Sequence, residues 1–213
     1  CLAQTIRDEY DNPELLSLAT QIVEQTDRTS KILQSLVNFA HAGTNANQYK
    51  NEVVLICDCM SQAETLISLD MKSKELDLDI SCDPEARIYG DSQRLLQVLI
   101  NLINNARDAS QANGKVSLQA GVKGTMVEIT VTDGGIGIPD AIKDRVFDPF
   151  FTTKEEGEGT GLGLSLVFSI VEDLGGDIDI ISPASKSIGG TQVKIRFPCY
   201  RRDSKILMSD TQN

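Results

Sequence analysis

The sequence predicts an α+β protein: a two-layer α/β sandwich with a mixed sheet covered by helices on one face, preceded by a helical-bundle segment. Three observations carry this. From position 52 onward strand-like and helical runs alternate, but the later strands fall close together as hairpins, which opposes a doubly wound parallel sheet. Before position 44 the apolar residues keep a heptad spacing. Within the α/β part, residues 91–112 are apolar almost all round and therefore belong inside a core.

The first helix is announced by Asn12, a capping residue type, followed by Pro13 at the first helical position. Leu15, Leu18, Ile22, Ile32, Leu36 and Phe39 then form a seam, with Gln25 and Thr29 in its two central turns. Ala19, Leu33, Val37 and Ala40 widen it until Gly43 ends the pattern. Residues 1–10 read as the end of a preceding antiparallel helix. We therefore divide the chain into the C-terminal part of a helical domain (1–44), a polar linker (45–51), an α/β domain (52–198) and a loose polar tail (199–213). Strands are expected near 53–56, 76–81, 115–121, 126–132, 177–181 and 191–197, and helices near 58–73, 91–112 and 161–174.

Composition narrows the partners. The 213 residues carry 20 Lys and Arg against 31 Asp and Glu, a net charge of −11. Such a surface repels nucleic acid and anionic lipid, so an anionic ligand needs a locally built site with backbone donors and a metal cation. One histidine and five cysteines, with no Cys-x-x-Cys pair, argue against a zinc site and against a disulfide framework, and the thiols fit a reducing cytosol. No run of 18 apolar residues occurs, so this fragment makes no membrane contact. The chain begins with Cys and lacks a signal-peptide pattern, so it reads as a cytoplasmic piece of a longer protein whose membrane anchorage is open.

Four segments carry chemistry. On the otherwise apolar helix 91–112, Arg94, Gln97, Asn101, Asn104 or Asn105, and Asp108 recur every three or four residues as one polar stripe. Buried amides and carboxylates left unpaired cost about 1–3 kcal/mol each, so a polar ligand with its metal belongs over that stripe. The carboxamide oxygen of Asn105 suits Mg²⁺, which keeps its remaining contacts for phosphate and water. Strand 126–132 runs into Asp133-Gly134-Gly135-Ile136-Gly137, where a carboxylate beside close-approaching backbone suits a flat ring bearing an exocyclic amine. Phe147 to Lys154 places apolar anchors beside a polar segment, the make-up of a closing lid, with Lys154 in reach of a phosphate. Finally Gly159-Thr160-Gly161-Leu162-Gly163-Leu164 opens a helix whose free amides suit phosphate. The segment is neither a Walker loop nor a Rossmann fingerprint, and no His-Arg-Asp loop is present.

In this order the segments resemble the boxes of the Bergerat-fold (GHKL) ATPases, a superfamily of gyrases, heat-shock chaperones, histidine kinases and mismatch-repair proteins. Asn101 to Ala106 resembles the N box, Asp133 to Gly137 the first glycine box, Phe147 to Lys154 the F box and Gly159 to Leu164 the second glycine box. Gly190-Thr191 resembles the turn whose threonine supports the adenine-binding aspartate. The wording of the F box and second glycine box is similar to sensor histidine kinases of two-component systems, of the nitrogen-sensor-like type, and Leu36 to Ala40 to the second helix of their dimerisation and phosphotransfer bundle.

The resemblance implies ATP and Mg²⁺ as cofactors, with Asn105 on the metal and Asn101 and Asp108 supporting it. It implies Asp133 on the adenine amine assisted by Gly135, Gly137 and Thr191, and Lys154 with Gly159, Thr160, Gly161, Leu162, Gly163 and Leu164 around the phosphates. Hydrolytic relatives carry a glutamate four residues before the metal-binding asparagine. Here that residue is Asn101, so the γ-phosphate is kept for a histidine and then for an aspartate on the receiver domain of a response regulator. An ATP hydrolase of the same fold and a non-catalytic nucleotide-binding adaptor are the alternatives. The intact protein is expected to form a homodimer through its bundle. Two departures stand out. Gly134 occupies the usual asparagine position, and the acceptor histidine with its acidic neighbour is missing, since His41 is followed by Ala-Gly at a helix end.

Overall fold

The computed structural model describes residues 13–44, 50–70, 77–111, 114–155, 159–184 and 189–201. The expected helix over 1–10, most of the 45–51 linker, Gly157-Glu158 and the tail beyond 201 lie outside the described residues.

The chain runs through α1 (Pro13–Thr44), β1 (Glu52–Leu55), α2 (Ile56–Asp70), β2 (Asp77–Cys82), β3 (Arg87–Gly90) and α3 (Ser92–Ala109). It continues through β4 (Lys115–Lys123), β5 (Met126–Asp133), a 3-10 turn (Asp140–Arg145), α4 (Gly163–Asp173), β6 (Asp177–Ile181) and β7 (Gln192–Pro198). Five strands form one mixed sheet in the order β2-β4-β5-β7-β6, with β2 parallel to β4 and the other pairs antiparallel. Helices α2, α3 and α4 lie on one face, as the two-layer reading requires.

Alternation along the central strands builds the core. Val116 and Leu118 of β4, Val127, Ile129 and Val131 of β5, and Ile195 and Phe197 of β7 point to one face and are buried. They meet Leu95, Val98, Leu99, Leu102 and Ile103 of α3 and Val167 and Ile170 of α4. The opposite face is polar and meets water, with cross-strand pairs such as Arg196 to Asp177 and Lys194 to Glu128. Asp91 caps α3. Its Oδ1 accepts from the amides of Gln93 and Arg94, and its Oδ2 from Lys50, which ties the end of the linker to the start of the helix.

Four expectations need correction. A second, two-stranded sheet pairs β1 with β3, and four-residue β3 escapes notice because Pro84 and Gly90 bracket it. Helix α3 ends at Ala109, before the expected 112, because Ser110 takes an extended conformation and its Oγ bonds the Ala106 carbonyl. The chain just after Pro198 is not loose. Cys199 donates to the Thr125 carbonyl, Tyr200 donates to the Arg87 carbonyl, and the Tyr200 ring stacks on Tyr89. Last, Cys57 and Cys82 form a disulfide, with Cα atoms 5.6 Å apart. Their separation of 25 residues hides a tertiary proximity, since the start of α2 lies beside the end of β2. Cys59 is buried as a free thiol, and burial followed by the Asp58 charge pushes its pKa to about 11.

Candidate functional site

A cavity of about 750 Å³ opens between α3, the glycine turn after β5, the segment 151–154 and the N-terminus of α4. That volume suits a ligand of nucleotide size. Of the residues singled out from the sequence, Asn101, Asn105, Asp108, Asp133, Gly137, Lys154, Gly159, Thr160, Gly161, Gly163, Leu164 and Thr191 line it. Gly135 and Leu162 are not part of its lining. Gly135 gives its amide to Asp133, and Leu162 is buried below the start of α4.

Asp133 ends the buried row Val127, Ile129, Val131, so the alternation of β5 aims a carboxylate into the apolar layer. Its Oδ1 accepts from the amides of Gly135 (2.8 Å) and Thr191 (3.1 Å). Thr191 thus meets Asp133 through its backbone amide. Burial raises the carboxyl above its ordinary range, and the two amide hydrogen bonds oppose that rise. Among the described residues no donor meets Oδ2. Gly190 makes the arrangement possible. It has φ +79°, and a Cβ there would stand 2.0 Å from the Asp133 carbonyl oxygen. Around Asp133, Val131, Ile138, Ile142, Ile180 and Val193 supply apolar walls that sequence reasoning missed. Strand alternation was the available signal for Val131, Ile180 and Val193, whereas Ile138 and Ile142 lie in the loop and 3-10 turn after β5, where it does not apply.

The polar stripe of α3 divides between two tasks. Arg94 is buried and pairs with Asp173 of α4 at 2.5 Å, so this end of the stripe joins two helices and does not face the cavity. Asn101 gives its Nδ2 hydrogen to the Gln97 carbonyl and turns Oδ1 toward Gly163. Asn105 also approaches Gly163. At the rim Asp108 and Lys154 hold each other at 2.5 Å. Among the described residues no group of three His, Cys, Asp or Glu could hold a metal ion. An amide oxygen such as that of Asn105 is a hard ligand of the kind Mg²⁺ takes beside a ligand's phosphates.

The phenylalanine cluster behaves as an anchor. Phe147 packs against Phe168 of α4 with ring centroids 5.3 Å apart, and Arg145 covers Phe151 at 4.5 Å. Phe150 is exposed and takes φ +68°, rare for an aromatic residue, while its amide bonds the Gly161 carbonyl at 2.9 Å. This bond joins the phenylalanine segment to the glycine segment. A Cβ on Gly161 would fall 2.3 Å from the Phe150 carbonyl carbon, so glycine is required there. Helix α4 then begins at Gly163, with its first amides toward the cavity. Arg28 of α1 also lines the cavity, and nothing in the sequence pattern pointed to it. The His41 side chain lies outside the described residues.

Residues 90–201 match a family model described as histidine kinase-, DNA gyrase B-, and HSP90-like ATPase. The chain is similar to the sensor histidine kinase ZraS of Escherichia coli strain K12, at 37% identity over 174 residues, covering 81% of this chain and 36% of that one. It is also similar to full-length ShkA solved in complex with AMPPNP, with TM-score 0.73 and 26% identity over 92% of this chain and 41% of that one. The histidine kinase ThkA, solved in complex with response regulator protein TrrA, gives TM-score 0.68 and 25% identity over 93% of this chain and 56% of that one. The chain spans roughly a third of the length of the curated relatives it matches.

Proposed function

The chain belongs to the histidine kinase-, DNA gyrase B-, and HSP90-like ATPase family, and from that premise we propose that it is the ATP-binding kinase part of a two-component sensor histidine kinase. Its reaction in the parent protein is transfer of the γ-phosphate to a histidine outside this chain, and from there to an aspartate of a response regulator receiver domain. ATP sits with its adenine amine on Asp133 Oδ2 and its phosphates near the amides at the start of α4. Mg²⁺ is held by Asn105 and screens the charge on the phosphates. Asn101 and Asp108 orient this network, and Lys154 reaches the phosphates from the rim.

One observation favours a kinase over a hydrolase of the same fold. The carboxylates lining the cavity are Asp108 and Asp133. Asp108 is held by Lys154, and Asp133 accepts two backbone amides. Asn101, an amide, cannot take a proton from water. The described cavity thus supplies an adenine acceptor and a phosphate cradle without a base to activate water, which keeps the γ-phosphate for another nucleophile.

The exposed apolar row of α1, with Leu15, Leu18, Ile22, Leu33 and Val37, supports homodimer formation through the bundle. Among the described residues no helix is long and apolar enough to cross a membrane.

The test compares two chains incubated with γ-labelled ATP and Mg²⁺. This chain should bind nucleotide, release phosphate slowly and gain no acid-labile label. The parent polypeptide, carrying its upstream helix, should become labelled on histidine. Rapid steady-state phosphate release with no labelling of the parent would refute the kinase reading. Labelling of this chain on His41 would refute the placement of the acceptor outside it.

A further inference from the structure

The α1 helix is more than an attached piece of bundle. It rests against α4, and Ala19 (3% exposed) is its buried residue among those described. Arg28, nine positions further on, lines the cavity together with Gly163 and Leu164, which places it beside the N-terminus of α4, where the first helical amides lack intrahelical partners.

Charge makes the placement informative. The chain carries a net charge of −11, yet the two cationic side chains that line this cavity are Arg28 and Lys154. Lys154 shares its charge between the cavity rim and Asp108. Among the described residues no carboxylate pairs with Arg28, although its side chain is half-buried. A guanidinium that no described carboxylate engages, beside amides that themselves suit an anion, matches the flat fork geometry of a phosphate.

We infer that Arg28 is a phosphate-binding residue supplied to the nucleotide cavity by the helical segment, so that the cavity is complete only while α1 lies against α4. This rests on reading the cavity as a nucleotide site. Its consequence is a coupling: a phosphate held by both segments draws α1 onto the catalytic domain, and an α1 already docked binds the phosphate more tightly. Adenosine reaches Asp133 without reaching Arg28, so it binds without this effect.

Calorimetry on the full chain decides the matter, with ATP, ADP and adenosine titrated in the presence of Mg²⁺. Arg28→Ala should weaken ATP about 10-fold or more and leave adenosine unchanged. Arg28→Lys, which keeps the charge but loses the fork, should restore part of the ATP affinity. Hydrogen exchange over 13–30 should slow on addition of ATP to the wild-type chain, but not on addition of adenosine, nor in Arg28→Ala with ATP. An Arg28→Ala variant that binds ATP as the wild type does overturns the inference while leaving the nucleotide site intact. Equal weakening of ATP and adenosine overturns it as well, because the loss would then be one of folding or packing. A wild-type chain that binds neither ATP nor adenosine would overturn the nucleotide reading itself, and the role of Arg28 with it.

Discussion

Replacing Asp133 by asparagine separates binding from folding at a buried carboxylate of the site. The amide oxygen of the new side chain can still accept from the amides of Gly135 and Thr191, which the aspartate holds at 2.8 and 3.1 Å. What changes is the other atom, where Oδ2 becomes an NH₂ donor aimed at the ligand. Loss of a charged acceptor for the adenine amine costs about 1.5–3 kcal/mol, roughly 10- to 100-fold in affinity. A donor left facing a donor in a buried site adds to that, so a loss nearer about 100-fold is expected for ATP, ADP and adenosine alike. Because a 6-oxo purine presents an acceptor there, the preference for adenosine over inosine should narrow in the variant.

The fold should not suffer from this change. Burial raises the Asp133 carboxyl, so the folded state holds its proton more tightly than the unfolded chain does. The contribution of this group to stability is therefore largest below the ordinary carboxylate pKa of about 3.9, and it declines as pH rises through that value to the raised one. At neutral pH the wild type carries the cost of a buried charge that the neutral amide of Asp133→Asn avoids. The variant should accordingly unfold in urea at an equal or higher midpoint at pH 7, and the difference should vanish in acid. Calorimetry and urea titration on the same two proteins test both halves. Unchanged adenosine affinity, or a large loss of stability with the loss of binding, would refute the assignment.

Four further outcomes follow from the geometry. Gly190→Ala forces a Cβ against the Asp133 carbonyl at a positive φ, and should cost about 2 kcal/mol or more in urea unfolding as well as nucleotide binding. Asn105→Ala should weaken ATP about 10- to 100-fold with Mg²⁺ present, with the gap to wild type closing in a chelator and adenosine binding retained. Arg94→Ala strands Asp173, but that carboxylate is half-exposed and can be hydrated, so a loss of about 1–3 kcal/mol with unchanged m-value is expected, below the full cost of breaking a buried pair. Reduction of the Cys57–Cys82 disulfide, which spans 25 residues, should lower stability by about 3.5 kcal/mol on the chain-entropy account. Two fast-reacting thiols at these positions in the unreduced native protein would refute the bond.

Most of the secondary structure and the order of the site segments are legible in one dimension, because those features are local. Period-2 runs give β4 and β5 their core face, an all-round apolar helix must be buried, and glycines are needed where backbone crowds backbone, as at Gly161. Even the odd member of a pattern, an aspartate ending an apolar strand row, can be read from the chain alone. How groups distant in the chain meet is settled only by the packed molecule. Arg94 and Asn101 belong to one stripe, but the former turns to Asp173 and the latter toward Gly163, since α4 crosses α3 over only part of its length. The support of Asp133 comes from the amide of Thr191, 58 positions away, not from its hydroxyl. Cys57 and Cys82 look ordinary by spacing and are joined only because α2 packs beside β2. Arg28 looks like an ordinary solvated residue of a bundle helix until α1 is laid against α4. In each case the partner is chosen by packing of the apolar faces, which the sequence specifies in kind but not in mutual position, so the polar contacts that depend on that packing become readable only in three dimensions.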